Sequence, residues 1–263
     1  MPGAAPIRAA STGQASTGEA STGEASTGEA STGEAWPRPP RFRVSAAIID
    51  LDGTLLDTAP DLVWAANAMR VDLGMAPLPA ATIITFVGKG AHNLVHRTLS
   101  GRLDGQVDAA SFDRGHEAFT RRYAERNGHE ARAYDGVFEG LDRLRALGLG
   151  LACVTNKPGA FTAPLLDAMG MARYFDVVLS GDSLPTRKPD PAPMLEAGRR
   201  LGAPPERVLA IGDSINDALA ARAAGMPVLA VPYGYNEGRD VRTLDVDGIV
   251  PSLLAAAELV DPV

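Results

Sequence analysis

Val44-Ser45-Ala46-Ala47-Ile48-Ile49-Asp50-Leu51-Asp52-Gly53-Thr54-Leu55 is a short, mostly apolar run that ends in two carboxylates one residue apart and a glycine. Such a run reads as a buried strand. Its end has two ordinary explanations. Asp-Gly between apolar residues is a hairpin signal. A calcium loop would need glycine at the position of Leu55 and glutamate at that of Asp61, and would follow a helix. What the carboxylates do is decided by the rest of the chain.

Further apolar runs follow at Leu149–Val154, Asp176–Leu179, Val208–Ile211 and Val228–Val231. Between them lie helix-period stretches that stop at glycine: Val137, Leu141 and Leu144 before Gly148; Phe161, Leu165 and Met169 before Gly170; and Ala218 to Ala224 before Gly225. Strands alternating with helices imply βαβ units and a parallel sheet. From Asp57 to about Gly136 the alternation fails, and only helical spacing such as Leu62, Ala66, Met69 and Leu73 is found. The expected fold is α/β: a Rossmann-like doubly wound parallel sheet with an inserted helical cap. The expected division is a core of residues 44–58 and 137–263 and a cap of 59–136.

Residues 10–35 repeat Ala-Ser-Thr-Gly-Glu, with Gln14 as the one variation, and a Pro-rich stretch Trp36-Pro37-Arg38-Pro39-Pro40-Arg41 follows. The repeats offer almost no apolar surface to offset the entropy of ordering, so residues 1–43 are expected to be a disordered tail and linker. The net charge of −7 and the lack of a basic run argue against nucleic acid or an acidic membrane surface as partner. No run approaches the roughly 18 apolar residues of a membrane span. The N-terminus lacks the apolar segment of a signal peptide, and Cys153 is the single cysteine, so a cytoplasmic location is expected. Whether the chain is a monomer or a homodimer is not readable.

Three more motifs fall near strand ends: Thr155-Asn156-Lys157-Pro158, Arg187-Lys188-Pro189-Asp190-Pro191, and Gly212-Asp213-Ser214-Ile215-Asn216-Asp217. Each alone has a plain explanation, such as helix capping by Ser214 with Asp217 in the first turn. Together they place carboxylates, a hydroxyl and a lysine at one sheet edge, where open α/β folds bind ligands. Arginine supplies nearly all positive charge, and the three lysines are Lys89, Lys157 and Lys188. A compact ammonium fits beside a carboxylate and a phosphate where a planar guanidinium does not, so these lysines become candidates.

The set suits phosphoryl transfer to a carboxylate. A hard cation, Mg²⁺, would relieve the repulsion between carboxylate and phosphate. Thr155, Asn156 and Lys188 would donate to the phosphoryl oxygens, and Asp52 would protonate the leaving oxygen.

In this order and spacing, the motifs resemble the haloacid dehalogenase superfamily of phosphatases over residues 44–260. The resemblance implies that Asp50 is the nucleophile and a magnesium ligand. It implies that Asp52 is the acid/base and lends its backbone carbonyl to the metal, and that Thr155 and Lys188 hold the phosphate. Asp213 becomes a magnesium ligand and Asp217 supports the metal site. Softer similarity to the phosphoglycolate phosphatase branch lies in Asp57–Leu62, Phe86–Ala91 and Tyr233–Gly238, and implies a small phosphomonoester, 2-phosphoglycolate, as substrate. Another phosphatase of the superfamily, acting on a phosphosugar or pyrophosphate, or a sugar-phosphate mutase, is the alternative. In the phosphoglycolate reading Gly88, Lys89 and Gly90 approach the substrate from the cap, with Lys89 offering a second anion site.

Two other patterns are weaker. Gly88-x-Gly90 is half a dinucleotide fingerprint, with Asn93 at the third glycine position. His92 and His96 have zinc-pair spacing, but Asn93 replaces the glutamate of the metalloprotease motif, so surface histidines are expected. Cys153, inside an apolar strand, is expected to be a buried small hydrophobe.

Overall fold

The computed structural model describes residues 37–263, so the repeat tract lies outside the described residues. The chain enters through β1 (Phe42–Val44) and β2 (Ala46–Ile49), then a two-residue strand β3 (Leu56–Asp57). Four helices follow: α1 (Ala59–Asp72), α2 (Ala80–Ile84), α3 (Gly90–Ser100) and α4 (Ala109–Arg126). The chain returns through β4 (Arg132–Ala133), α5 (Val137–Ala146), β5 (Gly150–Val154), α6 (Gly159–Ala168) and β6 (Val177–Leu179). It continues through α7 (Ala192–Arg200), β7 (Val208–Gly212), α8 (Ile215–Ala223) and β8 (Val228–Ala230). It closes with β9 (Gly248–Ile249), α9 (Leu253–Glu258) and β10 (Val260–Pro262). None of the described helices is long and apolar enough to cross a membrane.

The main sheet is parallel throughout, in the order β6-β5-β2-β7-β8-β9. β2 is central, with Ile49 level with Cys153 of β5 and Ile211 of β7. All four residues of β2 are buried because helices cover both faces. Ala47 and Ile49 join one apolar cluster with Leu141, Leu144, Leu165 and Leu253; Ala46 and Ile48 join the other with Met194, Ala197, Ala220 and Ala221. This alternation is the doubly wound arrangement expected from the sequence. Order reverses at β2, so the ends of β2, β5 and β7 open on one crevice.

Three details depart from the sequence reading. The strand expected at Val44–Ile49 breaks at Ser45, because β1 pairs with β10 outside the main sheet. Phe42 and Arg43 therefore belong to β1 rather than to a linker. Upstream, Arg41 pairs with Asp261, and Pro39 packs so closely on Gly248 that a Cβ there would stand 2.4 Å from the proline ring. Finally, the stretch expected to hold only helices is bounded by a ribbon, where β3 pairs antiparallel with β4.

That ribbon carries the helical insertion. Buried Asp61, in the first turn of α1, accepts hydrogen bonds from the backbone N–H groups of Gly128, Glu130 and Ala131, fastening the outgoing linker to the incoming one. The Tyr235 hydroxyl accepts from the N–H groups of Thr58 and Ala59 and donates to Asp57, so a loop of the core caps the first helix of the insertion.

Candidate active site

Asp50 stands at the end of β2, Thr155 just beyond β5 and Asp213 just beyond β7, which brings three distant motifs to one crevice. Lys188 arrives from the loop before α7 and Asp217 from the first turn of α8. Lys188 Nζ lies 2.8 Å from Asp50 Oδ1 and donates to Asp217 Oδ1 and to the Val154 carbonyl, each at 2.6 Å. Asp217 also completes a capping box, accepting at Oδ2 from the Ser214 hydroxyl and backbone N–H. Asp213 accepts from the Thr54 hydroxyl at 3.0 Å and from the Tyr235 N–H at 2.7 Å. Gly212 makes this crowding possible, since a Cβ there would stand 2.3 Å from the Asp217 carboxyl carbon.

The electrostatics show what the cluster lacks. Burial raises the Asp50 carboxyl well above the usual range; Lys188 opposes this, while Asp217 and Asp213 add to it. Burial and neighbouring Asp217 push Asp213 up to about 7. Burial pulls the Lys188 ammonium down, but the attraction of Asp217 and Asp50 outweighs it and the net displacement is upward. Counting Asp50, Asp52, Asp213 and Asp217 against Lys157 and Lys188 leaves two negative charges unbalanced, the charge of one divalent cation. One oxygen from each of Asp50, Asp213 and Asp217 lies within 4.8 Å of the others, and the one positive partner of Asp50 Oδ1 is Lys188, which Asp217 shares. Hard oxygen donors gathered within reach of one ion and a charge deficit fit a divalent cation.

Asp52 points to the other end of the site. Its carboxylate accepts from the Thr58 hydroxyl at 2.7 Å and from Lys157 Nζ at 2.9 Å. A cavity connects these groups; it is lined on the core side by Asp50, Asp52, Thr155, Lys157 and Lys188, and on the insertion side by Leu62, Val87, Leu94, Phe119 and Tyr123.

The remaining sequence candidates take different places. The Asn156 amide donates to the carbonyls of Gly88 and Lys188, so it ties the insertion to the core, and the residue also lines the cavity. Gly88 and Gly90 line the cavity, and a Cβ on Gly90 would stand 2.7 Å from the Asn156 carbonyl oxygen, so these glycines permit the close docking of α3. Lys89 does not line the cavity; its ammonium lies 3.5 Å from buried Glu237, which Arg97 of α3 also meets at 2.6 Å. Cys153 is buried in β5, and burial pushes its thiol up. His92 and His96 pack around Phe112 and belong to no metal-compatible group among the described residues.

The profile of the haloacid dehalogenase-like hydrolases matches residues 44–225. The chain belongs to that family. A haloacid dehalogenase-like hydrolase is thus expected to carry its chemistry where these motifs converge, and similar proteins cover the described fold. A phosphoglycolate phosphatase of Nitrosospira multiformis is 56% identical over 217 residues, covering 82% of this chain and 96% of its own. One from Thiobacillus denitrificans is 50% identical with the same coverage. A crystal structure described as a predicted phosphoglycolate phosphatase from Haemophilus somnus 129pt superposes with a TM-score of 0.78 at 32% identity, covering 82% of this chain and 97% of that one. Sequence reading assigns no role to Lys157 or Tyr123, although the scarcity of lysine draws attention to the first. Nothing in the local sequence around Tyr123 brings it to the cavity.

Proposed function

We propose that this enzyme hydrolyses 2-phosphoglycolate to glycolate and phosphate through a phosphoryl group carried on Asp50. The observation that carries the reading is that Asp50, paired with Lys188, and Asp52, paired with Lys157, line one cavity, with Asp217 holding Lys188 from behind. The names of the similar proteins support the substrate. A carboxylate oxygen of Asp50 attacks phosphorus, the ester P–O bond breaks, and Asp52 gives its proton to the departing glycolate oxygen. Asp52 then takes a proton from the water that cleaves the acyl phosphate. Lys188 and the Thr155 hydroxyl hold the phosphoryl oxygens.

Asp50, Asp213 and the Asp52 backbone carbonyl would hold Mg²⁺, with Asp217 in support. Bound there, the ion supplies the positive charge that lets a carboxylate meet a phosphate dianion. Residues 44–58 and 137–263 form the catalytic core in this proposal, and residues 59–136 the cap that shields the acyl phosphate from stray water.

The test is a panel of phosphomonoesters and pyrophosphate, assayed with Mg²⁺ and with excess chelator. The expected result is highest kcat/KM on 2-phosphoglycolate and loss of turnover in chelator. A better hexose phosphate or pyrophosphate substrate would overturn the substrate, and full activity in chelator would overturn the metal.

A further inference from the structure

A substrate with both a phosphate and a carboxylate needs a second set of donors, and the cavity restricts where they can be. Among the described residues, the cationic side chains lining it are Lys157 and Lys188. Lys188 stands 2.8 Å from Asp50, and so belongs to the phosphoryl end of the substrate. Lys89 faces Glu237, and Arg187 lines a separate open depression with Thr186, Pro189 and Asp190.

Lys157 is different. It is buried against the cavity, and its ammonium donates to both oxygens of Asp52, at 2.9 and 3.3 Å, and to the Tyr123 hydroxyl at 2.6 Å. Tyr123 is equally unusual: its oxygen accepts from Lys157, and its own buried hydroxyl proton has no protein acceptor. Burial pushes this phenol up to about 12, so it keeps that proton. An unspent hydroxyl donor and a buried ammonium therefore meet in the cavity, where the larger side chains of the insertion wall, Leu62, Val87, Leu94 and Phe119, are apolar. A buried hydroxyl proton is normally taken by an acceptor, and the ammonium 2.6 Å away favours a negative one, which marks the pair as a place for an anionic acceptor.

We infer that Lys157 Nζ and the Tyr123 hydroxyl form the subsite for the carboxylate of the substrate, an inference that rests on the proposed hydrolysis of a carboxylate-bearing phosphomonoester. The insertion contributes the tyrosine and the core the lysine, so the subsite is complete only when the two are docked.

The test compares kcat/KM for 2-phosphoglycolate with that for ethyl phosphate, which has a methyl group in place of the carboxylate. In the wild-type enzyme the acidic-tailed ester should win. Lys157→Met should shrink that advantage on the order of tenfold to a hundredfold, mainly through KM, as expected for loss of a charge-assisted hydrogen bond. Tyr123→Phe should shrink it about two- to tenfold. If Lys157 acted only by positioning Asp52, both esters would slow by the same factor and the ratio would stand; that result overturns the inference. Should Lys157→Met fail to fold, Tyr123→Phe decides, and an unchanged ratio there is equally fatal. A wild-type enzyme with no preference for the carboxylate ester sinks the substrate reading itself, and this inference with it. A wild-type preference that survives both substitutions sinks the inference alone.

Discussion

The core wall of the cavity is charged and hydrogen-bonded, whereas the wall formed by the inserted helices is largely apolar and held by packing. On the core side, Lys188 holds Asp50 at 2.8 Å and Asp217 at 2.6 Å, and the Thr54 hydroxyl and Tyr235 N–H hold Asp213. On the other side, Leu62, Val87, Leu94 and Phe119 belong to one apolar cluster with Met69, Ile83 and Val95. The difference separates two tasks. Transfer of a phosphoryl group needs preorganised charge, which tolerates little displacement. Enclosing a small substrate needs shape and exclusion of water, which many apolar combinations supply.

The comparison breaks first at the charged wall. Asp52→Asn keeps the shape of the carboxyl but removes its proton transfer, and should lower kcat by about 10²- to 10⁴-fold. A steady-state assay checks this, and a loss under threefold would remove Asp52 from the acid/base role. The seam between the walls should respond in stability. Glu237 is buried and shared between Arg97 and Lys89, so Glu237→Ala strands a buried guanidinium and should cost about 3–5 kcal/mol. Calorimetry would read that as a lower melting temperature, and an unchanged one would show that this ion pair does not fasten the seam. The smallest effect belongs to the tail. Removing residues 1–36 spares Pro39 and Arg41, which pack on the fold, and deletes a tract with few large apolar side chains. Melting temperature and activity should both stay within error; a clear fall in either would show that the repeats dock.

The charged wall was also the more legible in the sequence. Each of its residues sits in a short motif beside an apolar run, and strand ends in a parallel sheet gather on one edge, so local signals sufficed to predict the convergence. The helical spacing between Asp57 and Gly136 likewise revealed the insertion. What stayed hidden depends on contacts between distant segments. β3 and β4 have two residues each, too few for a periodic signal, and exist because they pair with each other. The break at Ser45 follows from pairing of β1 with β10, more than two hundred residues on. Lys89 was rightly singled out as a rare lysine, but its direction is set by Glu237, which no local pattern connects to it. Lys157 shares that rarity, and its significance emerges only with Tyr123 beside it.

The central claim is that Asp50 carries the phosphoryl group, and it can be read directly. Enzyme mixed with 2-phosphoglycolate and Mg²⁺ is quenched within the first turnover and reduced with borohydride, which converts an acyl phosphate to an alcohol. Peptide mass spectrometry should then find homoserine at position 50 and at no other aspartate, with the signal absent in Asp50→Asn. Turnover with no reducible intermediate at position 50, or with the mark on another residue, would contradict the account.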